Sequence, residues 1–223
     1  MATNQRDKDK TMKAKYIVTY FIIFLVSFNC VASEVTVREI PKPENDGPWP
    51  EFKVITTIKA SPLEAVAIYY ALDYQKDYVP NVIKSDVIDQ PSPLEAVTSY
   101  EFNTPWPLPN STYTNGSKLQ KLDNGAYQVS WWFIKNSAAN NVYGSATFLP
   151  HPQGSQLIYR SYIAPKSFLA GLFKSTASAD IAKTIQAIKE HIESLREKQS
   201  PILTKYKQLI LDALDNKFTY KKF

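Results

Sequence analysis

From Glu51 onward the apolar positions of the chain switch between a two-residue and a three-to-four-residue rhythm, and the switches divide it into elements. Phe52, Val54, Thr56 and Ile58 alternate with Lys53, Ile55, Thr57 and Lys59, the pattern of a strand. Ser61-Pro62-Leu63-Glu64 follows, with a serine N-cap, proline at the first helical position and glutamate three residues after the cap. The helix begun there is expected to bend or restart near Asp73 and to end before Pro80. Residues 82–89 read as a second strand, closed by Gln90-Pro91-Ser92-Pro93. In residues 98–103, Ser99, Glu101 and Asn103 take one face and Thr98, Tyr100 and Phe102 the other.

Asp123-Asn124-Gly125 is a turn between strands at 113–122 and 126–135. In the latter, Gln128 and Ser130 mark the wet face, so Tyr127, Val129, Trp131 and Phe133 are expected to point inward. A last hairpin joins 142–150 to 155–164 through His151-Pro152-Gln153-Gly154, with Arg160 outward and Leu157, Tyr159, Ser161 and Ile163 inward. Residues 168–198 then carry Ile181, Ile185, Ile188, Ile192 and Leu195 at steps of four and three, one sustained stripe of a helix laid on a sheet. Ser200-Pro201 interrupts it, and Ile202, Leu203, Tyr206, Leu209, Ile210 and Leu214 form a second amphipathic helix. The pattern predicts an α+β domain: a curved seven-stranded antiparallel sheet around a long C-terminal helix, with an extra helix after it.

The segment before Glu51 reads differently. Lys8, Lys10, Lys13 and Lys15 precede an apolar run at 16–28, and Val31-Ala32-Ser33 supplies small residues for cleavage after Ser33. Residues 1–33 are therefore expected to be a signal peptide, which implies export to a periplasm or the medium. Uncleaved, the run would be a short membrane anchor, since a spanning helix needs about 20 apolar residues. Pro41, Pro43, Gly47, Pro48 and Pro50 give residues 34–50 the character of a semi-rigid linker.

Removing a 33-residue leader from the 223-residue chain leaves 190 residues, enough for one domain with a substantial core. Three of the five net positive charges leave with it, and no basic stripe with interleaved aromatics remains to engage nucleic acid. The single cysteine, Cys30, lies in the leader, so no disulfide holds the exported domain.

The ordered set Ala60-Ser61-Pro62-Leu63-Glu64-Ala65-Val66, Asp73, Tyr78-Val79-Pro80-Asn81-Val82, and Tyr100 leading into Pro105-Trp106-Pro107-Leu108 resembles the START lipid-transfer family and its Bet v 1-like, helix-grip relatives. Residues 144–150, 154–162 and Pro165 continue the resemblance, which covers residues 51–198 and leaves 199–223 as a helical extension. Ser111 and Thr112 stand where START sequences carry an Arg-Asp pair, so no role of that pair transfers. The resemblance implies a hydrophobic tunnel between the sheet and the long helix, and a lipid or other hydrophobic small molecule as ligand.

Candidate chemistry fits binding more readily than catalysis. His151 and His191 stand forty residues apart with no cluster of ligating side chains around either, and read as a turn residue and a helix-surface residue. Neither a Gly-x-Ser-x-Gly elbow nor a glycine-rich phosphate loop is present, and no metal or cofactor is expected. Aromatic residues are plentiful: 4 Trp, 14 Tyr and 11 Phe. Tyr100, Phe102, Tyr127, Trp131, Phe133 and Tyr159 are expected to line the tunnel with Ser161, Ile185 and Ile188, and Thr56 and Thr98 to add polar points. Phe168, Leu169, Leu172 and Phe173 surround Gly171 at the start of the long helix, and form either a tunnel gate that touches a membrane in passing or a helix start packed on the sheet rim. Asn110-Ser111-Thr112 and Asn115-Gly116-Ser117 match the glycan acceptor pattern. A monomeric carrier of hydrophobic ligand is the favoured reading. A cyclase- or hydrolase-type enzyme on the same scaffold, and a protein-interaction module using the outer sheet or the final helix, stay open beside it.

Overall fold

The computed structural model describes residues 35–40, 49–103, 109–166 and 170–220, with the side chains of 170–175 outside the described set. Among these residues eight strands and three α-helices follow in the order β1 (Thr36–Ile40), β2 (Glu51–Ile58), α1 (Pro62–Tyr69), β3 (Val82–Ser92), β4 (Glu95–Phe102), β5 (Ser111–Lys121), β6 (Tyr127–Asn136), β7 (Ala139–His151), β8 (Gly154–Pro165), α2 (Ala170–Glu197) and α3 (Pro201–Leu214). A single 3-10 turn, Gln75–Asp77, replaces the restart expected near Asp73. The strands form one antiparallel sheet in the order β1-β2-β8-β7-β6-β5-β4-β3. These residues belong to one compact unit, Val35–Phe223.

The expected helix-grip architecture is present, with one addition. β1 lies in the stretch read as linker and pairs with β2, Thr36 opposite Ile55 and Ile40 opposite Glu51. Five residues with exposed Arg38 and Glu39 give almost no alternation to detect. Val35 and Val37 nevertheless pack against the core, which is why the segment stays paired.

The capping box sets where α1 starts and also ties the helices together. Ser61 N donates to Glu64 Oε2 at 2.8 Å and Glu64 N to Ser61 Oγ at 3.4 Å. The same carboxylate faces Arg196 at 3.6 Å and Lys207 at 3.8 Å, at the end of α2 and within α3. Ala65, Val66, Ala67, Ile68 and Tyr69 are all buried, and the small alanines let this short helix lie between the sheet and α3. Gly154 at the last hairpin has φ +133°, and a Cβ there would stand 2.5 Å from the Ile58 carbonyl oxygen, so only glycine fits.

Ile185, Ile188, Ile192 and Leu195 of α2 are buried, as the stripe requires. In α3, Leu203, Tyr206, Ile210 and Ala213 are buried, and the helix lies against α1. Ile202, Leu209 and Leu214 pack partly buried against the same core, so most of the apolar face of α3 is used inside the domain. Among the described residues no helix is long and apolar enough to cross a membrane.

Candidate ligand-binding site

The inward face of the sheet has two ends. At one, Ile58, Leu119, Val129, Phe148 and Leu157 lie beneath α1 and are almost fully buried. At the other, the same strands turn in Phe102, Tyr113, Trp131, Phe133 and Tyr159, and every one of these keeps part of its surface uncovered. Because β8 ends at Pro165 and α2 begins at Ala170, the chain delivers the start of α2 to this second, aromatic end.

Cross-strand register assembles the aromatic end. Tyr100 is opposite Tyr113, and the rings stack at 4.8 Å; Phe102 stacks on Tyr113 at the same distance. Trp131 is opposite Gly144, where a Cβ would come within 2.3 Å of the indole, so the glycine lets that ring lie flat on β7. Tyr159 lies 5.4 Å from Trp131, and Tyr69 reaches over from α1 at 6.4 Å.

Polar groups punctuate this surface. Thr98 and Asn115 are direct cross-strand partners, and Thr98 Oγ1 and Asn115 Oδ1 are buried with no hydrogen-bond partner. Thr56 Oγ1 and Ser155 Oγ are also unpartnered, but Thr56, opposite Leu157, lies at the packed end and does not join the site as expected. Ser117, opposite Trp131, and Ser161, opposite Gly144, are also buried. Tyr100 donates to Gln75 Oε1 at 2.8 Å. Burial raises the phenols of Tyr69, Tyr100, Tyr113 and Tyr159 above their ordinary range, and the neighbouring Tyr159 and Tyr100 raise those of Tyr69 and Tyr113 further. Nearby Thr98 and Ser161 pull Tyr100 and Tyr159 slightly the other way. The phenols are therefore neutral near pH 7 and available as hydrogen-bond donors.

Tyr100, Phe102, Trp131, Phe133, Tyr159 and Ser161 come together at the aromatic end as the alternation predicts. Tyr127 does not: it is 7% exposed opposite Phe148 and belongs to the packed end. Ile185 and Ile188 are core residues of α2. Ile163, expected inward, is 43% exposed at the end of β8, whereas its neighbour Tyr162 is buried and its ring lies 5.0 Å from that of Tyr143. Phe168 and Leu169 lie outside the described residues, and Leu172 and Phe173 lie within α2 where side chains are not described. Asn115 cannot serve as a glycan acceptor in the folded chain, being 8% exposed. Tyr113, Asn115 and Ser117 escaped the sequence reading because their strand mixes polar and aromatic residues and offers no apolar face. Their register with β4 and β6 is what reveals it.

His191 is not the surface residue its helical position suggested. Tyr74 Oη lies 3.1 Å from His191 Nε2, and Tyr78 stacks on the imidazole at 4.6 Å with 3° between planes. Tyr74 also stacks on Tyr206, whose hydroxyl donates to Asp73 Oδ1 at 2.9 Å. Burial lowers the His191 pKa, helped by Lys198 and opposed by Asp77. This seam joins the segment after α1 to α2 and α3. Among the described residues no three His, Cys, Asp or Glu side chains group as a metal site would require.

No family model matches the sequence, and no curated protein matches it either. Solved structures do match. A STAR-related lipid transfer protein fragment from Xanthomonas axonopodis superposes with TM-score 0.64 at 18% identity, over 72% of this chain and 94% of that one. Human StAR-related lipid transfer protein 5 gives 0.60 at 8% identity, over 85% and 99%. The di-domain ARO/CYC StfQ from the steffimycin biosynthetic pathway gives 0.53 at 14% identity, over 66% and 51%. At these identities the likeness is one of fold, and the chain has the START / Bet v 1-like helix-grip fold.

Proposed function

We propose that this protein binds a hydrophobic, lipid-like molecule between the aromatic end of the sheet and the start of α2, and carries it outside the cytoplasm once residues 1–33 are removed. The carrying observation is that Tyr113, Trp131 and Tyr159 face the interior yet keep uncovered surface, while burial raises the two phenols. Groups that are enclosed but not packed line a hollow. Burying about 300 Å² of acyl chain in such a place would contribute about 7 kcal/mol, enough to draw the molecule from water. Solved proteins of this fold described as lipid transfer proteins support the reading.

The ARO/CYC neighbour supports a second reading, in which the bound hydrophobic ligand is also turned over. Turnover would require a polar group of the aromatic end to exchange protons, and Tyr→Phe at one position would abolish it without loss of binding.

The test is to purify the exported protein, expected to begin at Glu34, and extract it with organic solvent for mass spectrometry. The reading predicts lipid near one mole per mole and transfer of a fluorescent lipid between vesicles. Protein that carries no lipid and takes none up would overturn it.

A further inference from the structure

The unpaired polar groups of the aromatic end specify more than greasiness. Tyr69, Tyr113 and Tyr159 bring phenolic hydroxyls that find no hydrogen-bond acceptor among the described residues, with Ser161 near Tyr159 as Thr98 is near Tyr100. Each is a donor waiting for an acceptor. Asn115 Oδ1 is the complement, an acceptor without a donor, and its cross-strand neighbour Thr98 carries an unpaired hydroxyl. Thr98 is 0% exposed and Asn115 8%, so both are shielded from bulk solvent, and an unpaired buried polar atom is a standing cost that a ligand group can remove.

Charge is the second constraint. The inward residues at this end of β2 and of β4 to β8 are aromatic, aliphatic, hydroxyl, glycine or amide, and none is ionised near pH 7. Lys189 of α2 is buried, but it lies 3.9 Å from Glu193, whose carboxylate accepts from Lys59 N beyond the packed end. A carboxylate or phosphate drawn fully into the aromatic end would lose its hydration without gaining a counter-charge from the described residues.

We infer that the ligand is an uncharged amphiphile whose polar part carries both a hydroxyl or amide N–H and a carbonyl, the chemistry of a monoacylglycerol. Its hydroxyl donates to Asn115 Oδ1 beside Thr98, and its carbonyl accepts from Tyr113, with Tyr69 and Tyr159 within reach of the same group. The inference rests on the hydrophobic-ligand reading and narrows it.

Four probes of equal chain length separate the possibilities, with the change in intrinsic tryptophan fluorescence of the full chain that is lost in Trp131→Phe as the readout. Monopalmitoylglycerol offers donor and acceptor, hexadecanol a hydroxyl alone, methyl palmitate a carbonyl without a donor, and palmitate at pH 8 an anion. Monopalmitoylglycerol should bind tightest, and loss of one neutral hydrogen bond in hexadecanol or methyl palmitate should weaken binding about three- to tenfold. Palmitate should bind weakest. Thr98→Val and Asn115→Leu should remove the advantage of the hydroxyl probes and leave methyl palmitate unchanged, while Tyr113→Phe should weaken both carbonyl probes. Thr98→Val removes an unpaired buried hydroxyl, so its melting temperature should hold or rise, which keeps the binding result interpretable. Palmitate binding as tightly as monopalmitoylglycerol, or variants that treat all probes alike, would overturn the inference while the hydrophobic-ligand reading stood. Failure of all four probes to bind would sink both.

Discussion

The two ends of the inward sheet face are built from the same strands, yet they solve opposite problems. Under α1, aliphatic residues such as Ile58, Leu119 and Leu157 meet a short helix whose alanines let it come close, and the space is filled. At the other end the same strands present stacked rings, hydroxyls and an amide, and the rings are left partly uncovered. The difference teaches that filling is decided by what approaches the sheet. α1, eight residues long, can settle onto the central strands; α2, 28 residues long, rests its buried stripe near β1, β2 and α1.

The largest expected effect tests that contrast by truncation. Phe148 is fully buried beneath α1, so Phe148→Ala should cost about 3–5 kcal/mol in chemical denaturation. Trp131→Ala removes a larger ring, yet should cost less than half as much, because the indole is already incompletely packed. Equal losses would mean that the aromatic end is as solid as the other.

A smaller effect separates the ends by pH. Burial holds the folded pKa of His191 below its unfolded value of about 6.5. The folded state therefore favours the neutral ring, its full benefit is present above pH 6.5, and it is lost as pH falls through the lower folded value. The imidazole is partly exposed and screened, so the change should stay below about 1 kcal/mol. His191→Phe keeps the stack on Tyr78 and should flatten the stability profile in that window. The phenols of the aromatic end, all raised, should leave ligand affinity flat there. A profile unchanged by the variant would move the acid sensitivity elsewhere.

Most of the scaffold was legible because its signals are local. The Ser61–Glu64 box, the Asp123-Asn124-Gly125 turn and the Ile185-Ile188-Ile192 stripe each follow from a few neighbouring residues, and all three appear in the structure. β1 was not legible, since its stability comes from pairing with β2 rather than from its own pattern. The site divides in the same way. Trp131, Phe133 and Tyr159 could be oriented from alternation within their strands. Asn115 and Tyr113 required knowing which residues of β4 and β6 lie opposite, and Tyr127 was misplaced because alternation gives the face of a residue but not its end of the sheet. His191 looked like surface for a related reason: the tyrosines that cover it come from residues 74 and 78, far away in sequence.

The most direct measurement enlarges one small residue at each end and compares unfolding free energies. Ser161, beside Gly144 at the aromatic end, and Ala146, between Val129 and Tyr159 nearer α1, are both buried. If the aromatic end is hollow, Ser161→Phe should stay within about 1 kcal/mol of the parent and expel bound lipid, whereas Ala146→Phe should overpack and lose about 3 kcal/mol or more. Equal destabilisation of the two variants would contradict the hollow and the lipid-binding account built on it.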